Sequence, residues 1–334
     1  MCDSRIAQNI LFACYYEKLT AEQIALEIGI SLPYMEDQLH ALYEGGLLNK
    51  EGNRYSANIA IFTSEFQKEV KVKTAQPKKE IANLVMTAVR THEQTIRSIP
   101  FVGRDMGENT YVWQMACRIL YSAIIEDLNN RVQLNYPNER YGANCFIWGI
   151  ETDEQDFEFK QFGFGVSNSQ NKEGDYIQYL DFPINGEMVH HYFYCRQSTI
   201  NVFLDLAKEN TAHFSENDWE EAAELVKKGY VLSTENGLRV NVPVLTGQQH
   251  QQIKNCFSEA AAQIADKAEK MMQTVAAILK DHLPSHLKKL AVDLAYLRLF
   301  DDAISAPVAC LFERKELLAY CGEGMLPTTY IILK

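Results

Sequence analysis

Residues 20–56, TAEQIALEIGISLPYMEDQLHALYEGGLLNKEGNRYS, decide how the first part of the chain folds. Ile24, Ala25 and Ile28 recur at helical spacing, and Gly29 ends that helix because glycine tolerates a left-handed turn. Ser31 is placed to cap the next helix, and Pro33 is tolerated in its first turn. Met35, Leu39 and Leu42 then form one apolar stripe. Gly46-Leu47-Leu48 closes the helix and enters a strand. Glu51-Gly52-Asn53 supplies a turn, and Tyr55 begins the return strand. The order is helix, tight turn, helix, β-hairpin.

Thr20, Ile24, Ala25, Gly29, Ile30, Ser31, Met35, Leu39, Leu42, Gly46, Leu47 and Leu48 stand in an order that resembles one bacterial domain type. It is the winged helix-turn-helix domain of transcriptional regulators of the ArsR, MarR and PadR kind. The resemblance covers roughly the first 65 residues and rests mostly on scaffold positions. It implies a head that docks in the DNA major groove, with a long helix after it that dimerises. The second helix departs from the family pattern. Leu32, Pro33, Glu36, Asp37 and His40 occupy positions where polar or basic residues usually face DNA, and no Lys or Arg lies between Ser31 and Gly46. Ser31, Tyr34 and Gln38 remain as base-facing candidates, with His40 a lesser one. Lys50, Asn53 and Arg54 are the candidate wing contacts to phosphate or minor groove. Lys68, Lys71, Lys73, Lys78 and Lys79 follow, with Glu65, Glu69 and Glu80 interleaved as on a solvated helix face.

A second copy of the pattern lies at an offset of 183, which sets Gly46 against Gly229. GGLLNKEGNRYSANIAIFTSEFQ, from Gly45, aligns without a gap with KGYVLSTENGLRVNVPVLTGQQH, from Lys228. Asn53 matches Asn236, Asn58 matches Asn241, and Thr63 matches Thr246. Ser215 and Asp218 form a capping box before an acidic helix with an apolar face of Trp219, Ala222, Ala223, Leu225 and Val226. Glu216, Glu220, Glu221 and Glu224 make this copy a poor DNA binder. Each copy leads into a long helical pattern. The first is expected to break at Pro77, and the second carries a seam through Ile253, Phe257, Ile264, Met271 and Ile278.

The 334 residues suffice for two or three domains, and 47% hydrophobic with 23% charged residues is an ordinary globular composition. A net charge of −12 confines any nucleic-acid surface to a local patch. The eight cysteines contain no Cys-x-x-Cys pair, which favours buried reduced thiols. Neither a signal-length apolar run at the N-terminus nor a membrane span of ~18 apolar residues is present, so a cytoplasmic, bacterial protein without membrane contact is expected.

Residues 141–195 are aromatic-rich and read as four antiparallel strands: CFIWGIE, FEFKQFGFGVS, DYIQYLDF and HHYFYC. Large side chains burying a thin sheet are the simpler account. The alternative is an effector pocket lined by Trp148, Phe164, Tyr179 and Tyr194, with Arg196 or Lys160 fixing a polar group. Gly163-Phe164-Gly165 is too short for a dinucleotide fingerprint, and no phosphate loop is present. Neighbouring strand positions His190 and His191 point apart, and Pro284 interrupts the pair His282 and His286, so no metal site is expected. No catalytic constellation emerges, and no cofactor is expected.

The expected fold class is α+β. It comprises a winged helix (1–65), a helical linker (66–100), a central domain with an antiparallel sheet (101–197), a degenerate winged-helix-like repeat (198–246) and a helical C-terminal region (247–334). The expected function is non-enzymatic: a transcriptional regulator binding double-stranded DNA as a homodimer. The alternative is a protein–protein interaction module of the transcription apparatus, using the acidic helices at 31–45 and 215–228.

Overall fold

The structure is a computed structural model. It describes all residues except 1–3, 105, 133–138, 141–142, 145–146, 152–164, 182, 185–186, 189–195 and 318–327. The described chain mixes α-helices with small β-sheets. The first part contains α1 (Arg5–Ala13), β1 (Leu19–Thr20), α2 (Ala21–Ile28), α3 (Leu32–Glu44), β2 (Leu48–Glu51), β3 (Arg54–Ala57), β4 (Ala60–Phe62) and α4 (Ser64–Arg97). Next come β5 (Val102–Gly103), α5 (Glu108–Tyr121), α6 (Asn129–Arg131), β6 (Glu139–Arg140), β7 (Ala143–Asn144) and β8 (Trp148–Ile150). The middle holds β9 (Gly165–Gln170), β10 (Tyr176–Asp181), β11 (Pro183–Ile184), β12 (Glu187–Met188), α7 (Gln197–Ala207) and α8 (Glu216–Lys227). The remainder is β13 (Val231–Thr234), β14 (Gly237–Val240), β15 (Pro243–Thr246), α9 (Gly247–His282), α10 (Ala291–Leu299), α11 (Ala306–Glu313) and β16 (Tyr330–Leu333).

Two compact units emerge, each drawn from three stretches of chain. The first unit comprises Met1–Lys73, Leu134–Phe157 and Met272–Leu297; the second comprises Thr74–Gln133, Glu158–Met271 and Arg298–Lys334.

In the first unit, α1, α2 and α3 close around Ile10, Ile24, Met35 and Leu39, all fully buried. Burial of each such side chain contributes roughly 1.5–3 kcal/mol. Thr20 starts α2 with a reciprocal capping box: Gln23 N–H donates to its hydroxyl, and its own N–H donates to Gln23 Oε1 at 2.9 Å. Gly29 ends α2 at φ +77°, as its position in the sequence requires. Ser31 occupies the N-cap of α3, but its side chain makes no capping bond there. The hairpin β2–β3 gains a third strand, β1, in the order β1-β3-β2. Strand β4 runs on to pair in parallel with β8, setting Ala60 opposite Trp148.

In the second unit, β9 and β10 form the expected antiparallel hairpin, from Gly165↔Asp181 to Gln170↔Tyr176. They do not make a separate antiparallel sheet. β10 pairs with the terminal strand β16, β16 lies parallel to β15, and β5 closes a five-stranded sheet in the order β5-β15-β16-β10-β9. Ile177, Val244 and Ile331, one from each of three adjacent strands, share a core with Phe203, Leu225 and Tyr230. The shared apolar face is what draws the last strand into the central sheet. The strand expected before Gly165 and the one over 190–195 lie outside the described residues.

The aligned segment is repeated in the structure. Strands β2, β3 and β4 begin at 48, 54 and 60, and β13, β14 and β15 at 231, 237 and 243. Register is preserved: Leu48↔Ala57 and Glu51↔Arg54 correspond to Val231↔Val240 and Thr234↔Gly237. Asn58 donates its side-chain amide to the Gly46 carbonyl at 3.1 Å, and Asn241 does the same to Gly229 at 2.8 Å. The likeness extends beyond the aligned segment. The third strand of each copy takes a parallel partner, β8 in one and β16 in the other. α5 and α10 start at Glu108 and Ala291, again at the same offset, and each passes directly into a π-helical stretch, Ser122–Leu128 and Phe300–Ser305.

The break expected at Pro77 is absent, and α4 is one helix from Ser64 to Arg97. Proline in a helix interior costs about 3 kcal/mol. Thr74, Ile81, Ala82 and Val85, all fully buried around it, offset that cost by packing.

Candidate nucleic-acid interface

The described part of the first unit places the candidate residues on two adjoining features, helix α3 and hairpin β2–β3. Because Met35, Leu39 and Leu42 point into the core, α3 must turn its other residues outward. Tyr34 is 47% exposed, and Glu36, Asp37, His40 and Tyr43 are exposed as well. Gln38 is half-buried at the edge of this face, and Ser31 is exposed where the helix begins.

The hairpin tip turns at Gly52, whose φ of +62° suits glycine, and leaves Asn53 in solvent. Lys50 faces Tyr55 across the two strands, its ammonium 5.1 Å from the ring centroid. The Tyr55 hydroxyl raises the Lys50 pKa above the ordinary lysine value, and Tyr43 and Glu36 of α3 add to that effect. Arg54 is exposed and donates to the Lys18 carbonyl at 3.0 Å.

Lys18 is the residue that sequence reading missed. It precedes β1, and the pairing of Thr20 with Arg54 brings it alongside the hairpin. Its ammonium lies 2.6 Å from Glu51, whose carboxyl it holds below the usual carboxylate range. A two-residue strand leaves no alternation to read, so the only signal for it was its position before the Thr20 cap. Lys18 and Arg54 thus lie with Glu51 on one face of the hairpin, while Lys50, paired with Tyr55, takes the other. Lys68, Lys71 and Lys73 on α4 are exposed, whereas Lys78 is half-buried and paired with Asp302 at 2.7 Å.

The second copy lacks this chemistry. Ser233 and Gly237 stand where the first hairpin has Lys50 and Arg54, leaving Arg239 as an exposed cation on β14. Glu221, at the position of Gln38, is taken up by α7: it accepts from Thr199 at 2.6 Å and from Ser198 at 3.2 Å. Arg196 also reaches Glu221, at 3.4 Å.

Of the effector-pocket candidates, Trp148 belongs to the first unit, and Tyr179 and Arg196 belong to the second. Phe164, Tyr194 and Lys160 lie outside the described residues, as do His190 and His191. His282 is bound by Glu69 at 3.0 Å, and His286 lies 2.8 Å from the Ala57 carbonyl. Among the described residues no group of three or more His, Cys, Asp or Glu is arranged to hold a metal ion, and no helix is long and apolar enough to cross a membrane. No protein-family model matches the chain, and neither does any curated protein or solved structure.

Proposed function

We propose that the chain is a transcriptional regulator of the bacterial winged-helix type whose first head binds double-stranded DNA, led by its wing. The supporting order is α1, β1, α2, α3 and the β2–β3 hairpin, with the short strand β1 completing the sheet. The observation that carries the reading is the difference between the copies: the first hairpin carries the exposed cations Lys50 and Arg54, with Lys18 beside Arg54, whereas the second has Ser233 and Gly237 at the hairpin positions. In this reading the wing supplies phosphate contacts and most of the affinity. Tyr34 and Gln38 supply what base discrimination there is, because Glu36 and Asp37 repel phosphate.

The test is fluorescence anisotropy of labelled duplex DNA with the full chain. Lys50→Glu with Arg54→Glu weakens binding on every sequence, and Arg239→Glu in the second hairpin leaves it unchanged. Equal effects of the two substitutions would remove the assignment.

A second reading is favoured by the second copy. Glu216 and Glu220 of α8 are exposed beside Trp219, itself 48% exposed. An acidic rim around an exposed aromatic fits a basic protein partner better than a nucleic acid. Both readings are compatible in one chain, with the first head on DNA and the second on protein.

A further inference from the structure

Within the first unit a cleft of about 750 Å³ opens between the end of α1, the end of α2 and strand β8. That volume lies in the range of small-molecule sites. Its walls are Phe12, Ile61, Ile147 and Trp148, with Glu27 and Glu151 among them. Phe12, Ile147 and Trp148 remain 46%, 42% and 40% exposed, so three large apolar side chains of its lining stand in water. The described polar residues that line it are Gln8, Asn9, Glu27 and Glu151; no Lys, Arg or His is among them.

The walls are held in place. β8 pairs along β4, and the Trp148 ring leans on Phe62 with centroids 6.4 Å apart. Glu151 is fixed by the first turn of α4: its Oε2 accepts the Ser64 N–H at 2.7 Å, and its carbonyl accepts the Gln67 amide at 3.0 Å. Glu27 is exposed on α2. Aromatic faces and carboxylates both attract positive charge, and aromatic faces do so most strongly when the cation is poorly hydrated. A metal ion demands several oxygen, nitrogen or sulfur donors and gains nothing from Phe12 or Trp148. An organic anion meets two carboxylates and no described cation.

We propose that this cleft binds an apolar organic cation, of the quaternary ammonium, phosphonium or delocalised aromatic class. Trp148 and Phe12 supply the faces, and Glu27 supplies an exposed carboxylate of the lining. Binding itself does not depend on the DNA reading. Control of the head by such a ligand does, because α1 and α2 belong to both the cleft and the head.

The experiment is calorimetric titration of the full chain, without DNA, with tetraphenylphosphonium and with tetraphenylborate. The two ions share shape and size and differ in the sign of charge. The expected result is phosphonium binding at least ~10-fold tighter than borate, the equivalent of one decade in the dissociation constant. Trp148→Ala weakens phosphonium ~10-fold, and Trp148→Phe retains most of the affinity. Glu27→Gln, an exposed change that leaves the core intact, reduces the preference between the ions ~3-fold. Equal affinity for both ions, no heat from phosphonium at millimolar concentration, or a preference untouched by Glu27→Gln would each overturn the proposal. Loss of DNA binding alone would not bear on it.

Discussion

Asn58 donates its side-chain amide to the Gly46 carbonyl at 3.1 Å, and its backbone N–H donates to the Leu47 carbonyl at 2.8 Å. One residue therefore ties the end of the hairpin to the turn that closes α3. Gly46 holds φ +68° there, so the carbonyl it presents cannot join the helix ladder. Asn241 repeats both bonds, to Gly229 and Tyr230. Asn58→Ala and Asn241→Ala should each destabilise by about 1–2 kcal/mol, read from urea unfolding followed by circular dichroism. Asn58→Asp, which replaces the donor by an acceptor, should cost at least as much.

Asp302 is 3% exposed at its side chain and lies between Lys78 at 2.7 Å and Arg298 at 3.1 Å. Removing one buried anion leaves two cations in a poorly solvated place. Asp302→Ala should cost about 3–5 kcal/mol, which chemical denaturation will register as a lower midpoint.

Arg118 behaves differently. It is 7% exposed, its guanidinium stacks 3.6 Å from the Tyr330 ring centroid, and its Nε and Nη1 have no hydrogen-bond partner among the described residues. Burial pushes its pKa down. Because no carboxylate among the described residues pairs with it, Arg118→Met should be neutral or stabilising, by up to ~1–4 kcal/mol. Thermal unfolding distinguishes this outcome from the loss expected at Asp302.

His250 faces the same surroundings. Burial, and then the positive charges of Arg118 and Lys254, lower its pKa from 6.5 to about 3. Above pH 6.5 the ring is neutral in both folded and unfolded chains and has no effect on pH dependence. As pH falls from 6.5 toward 3, the unfolded chain takes up a proton that the folded chain does not, so stability is lost on acidification. His250→Gln should reduce the steepness of that loss between pH 6 and 4, by less than ~1.4 kcal/mol per pH unit because the ring is only partly buried. In the Arg118→Met variant the His250 pKa should rise, as followed by NMR titration.

The local elements were largely written in the residues. Gly29, Gly46 and Gly229 mark helix ends because each takes a positive φ, and the apolar stripe of Met35, Leu39 and Leu42 turns inward as its spacing requires. The aligned repeat set the bounds of β13, β14 and β15 because turn chemistry recurs at Asn53 and Asn236. Long-range pairing was not readable. Nothing in Trp148-Gly149-Ile150 or in Tyr330-Ile331-Ile332 names β4 or β15 as a parallel neighbour, since strands of three and four residues are too short to carry a readable pairing pattern. The helix through Pro77 also escaped, because local propensity was outweighed by tertiary packing. Of the candidate contact residues, Tyr34, Lys50, Asn53 and Arg54 are exposed, and Lys18 comes beside the hairpin only through strand pairing.

If the wing grips phosphate, the salt dependence of binding should report its charges one by one. Each lost contact should reduce the slope of log affinity against log salt by about 1. Lys18→Gln and Lys50→Gln should each do so without changing sequence preference. Gln38→Ala should relax preference at one base position and leave the slope unchanged.

The most direct measurement is the anisotropy titration of the full chain with duplex DNA flanking its own gene, from low to moderate salt. Tight binding at low salt that weakens steeply as salt rises, and collapses when Lys50 and Arg54 are both changed to Glu, is the predicted result. A chain that leaves the duplex unbound at low salt, or that binds it equally well with both charges reversed, would contradict the account.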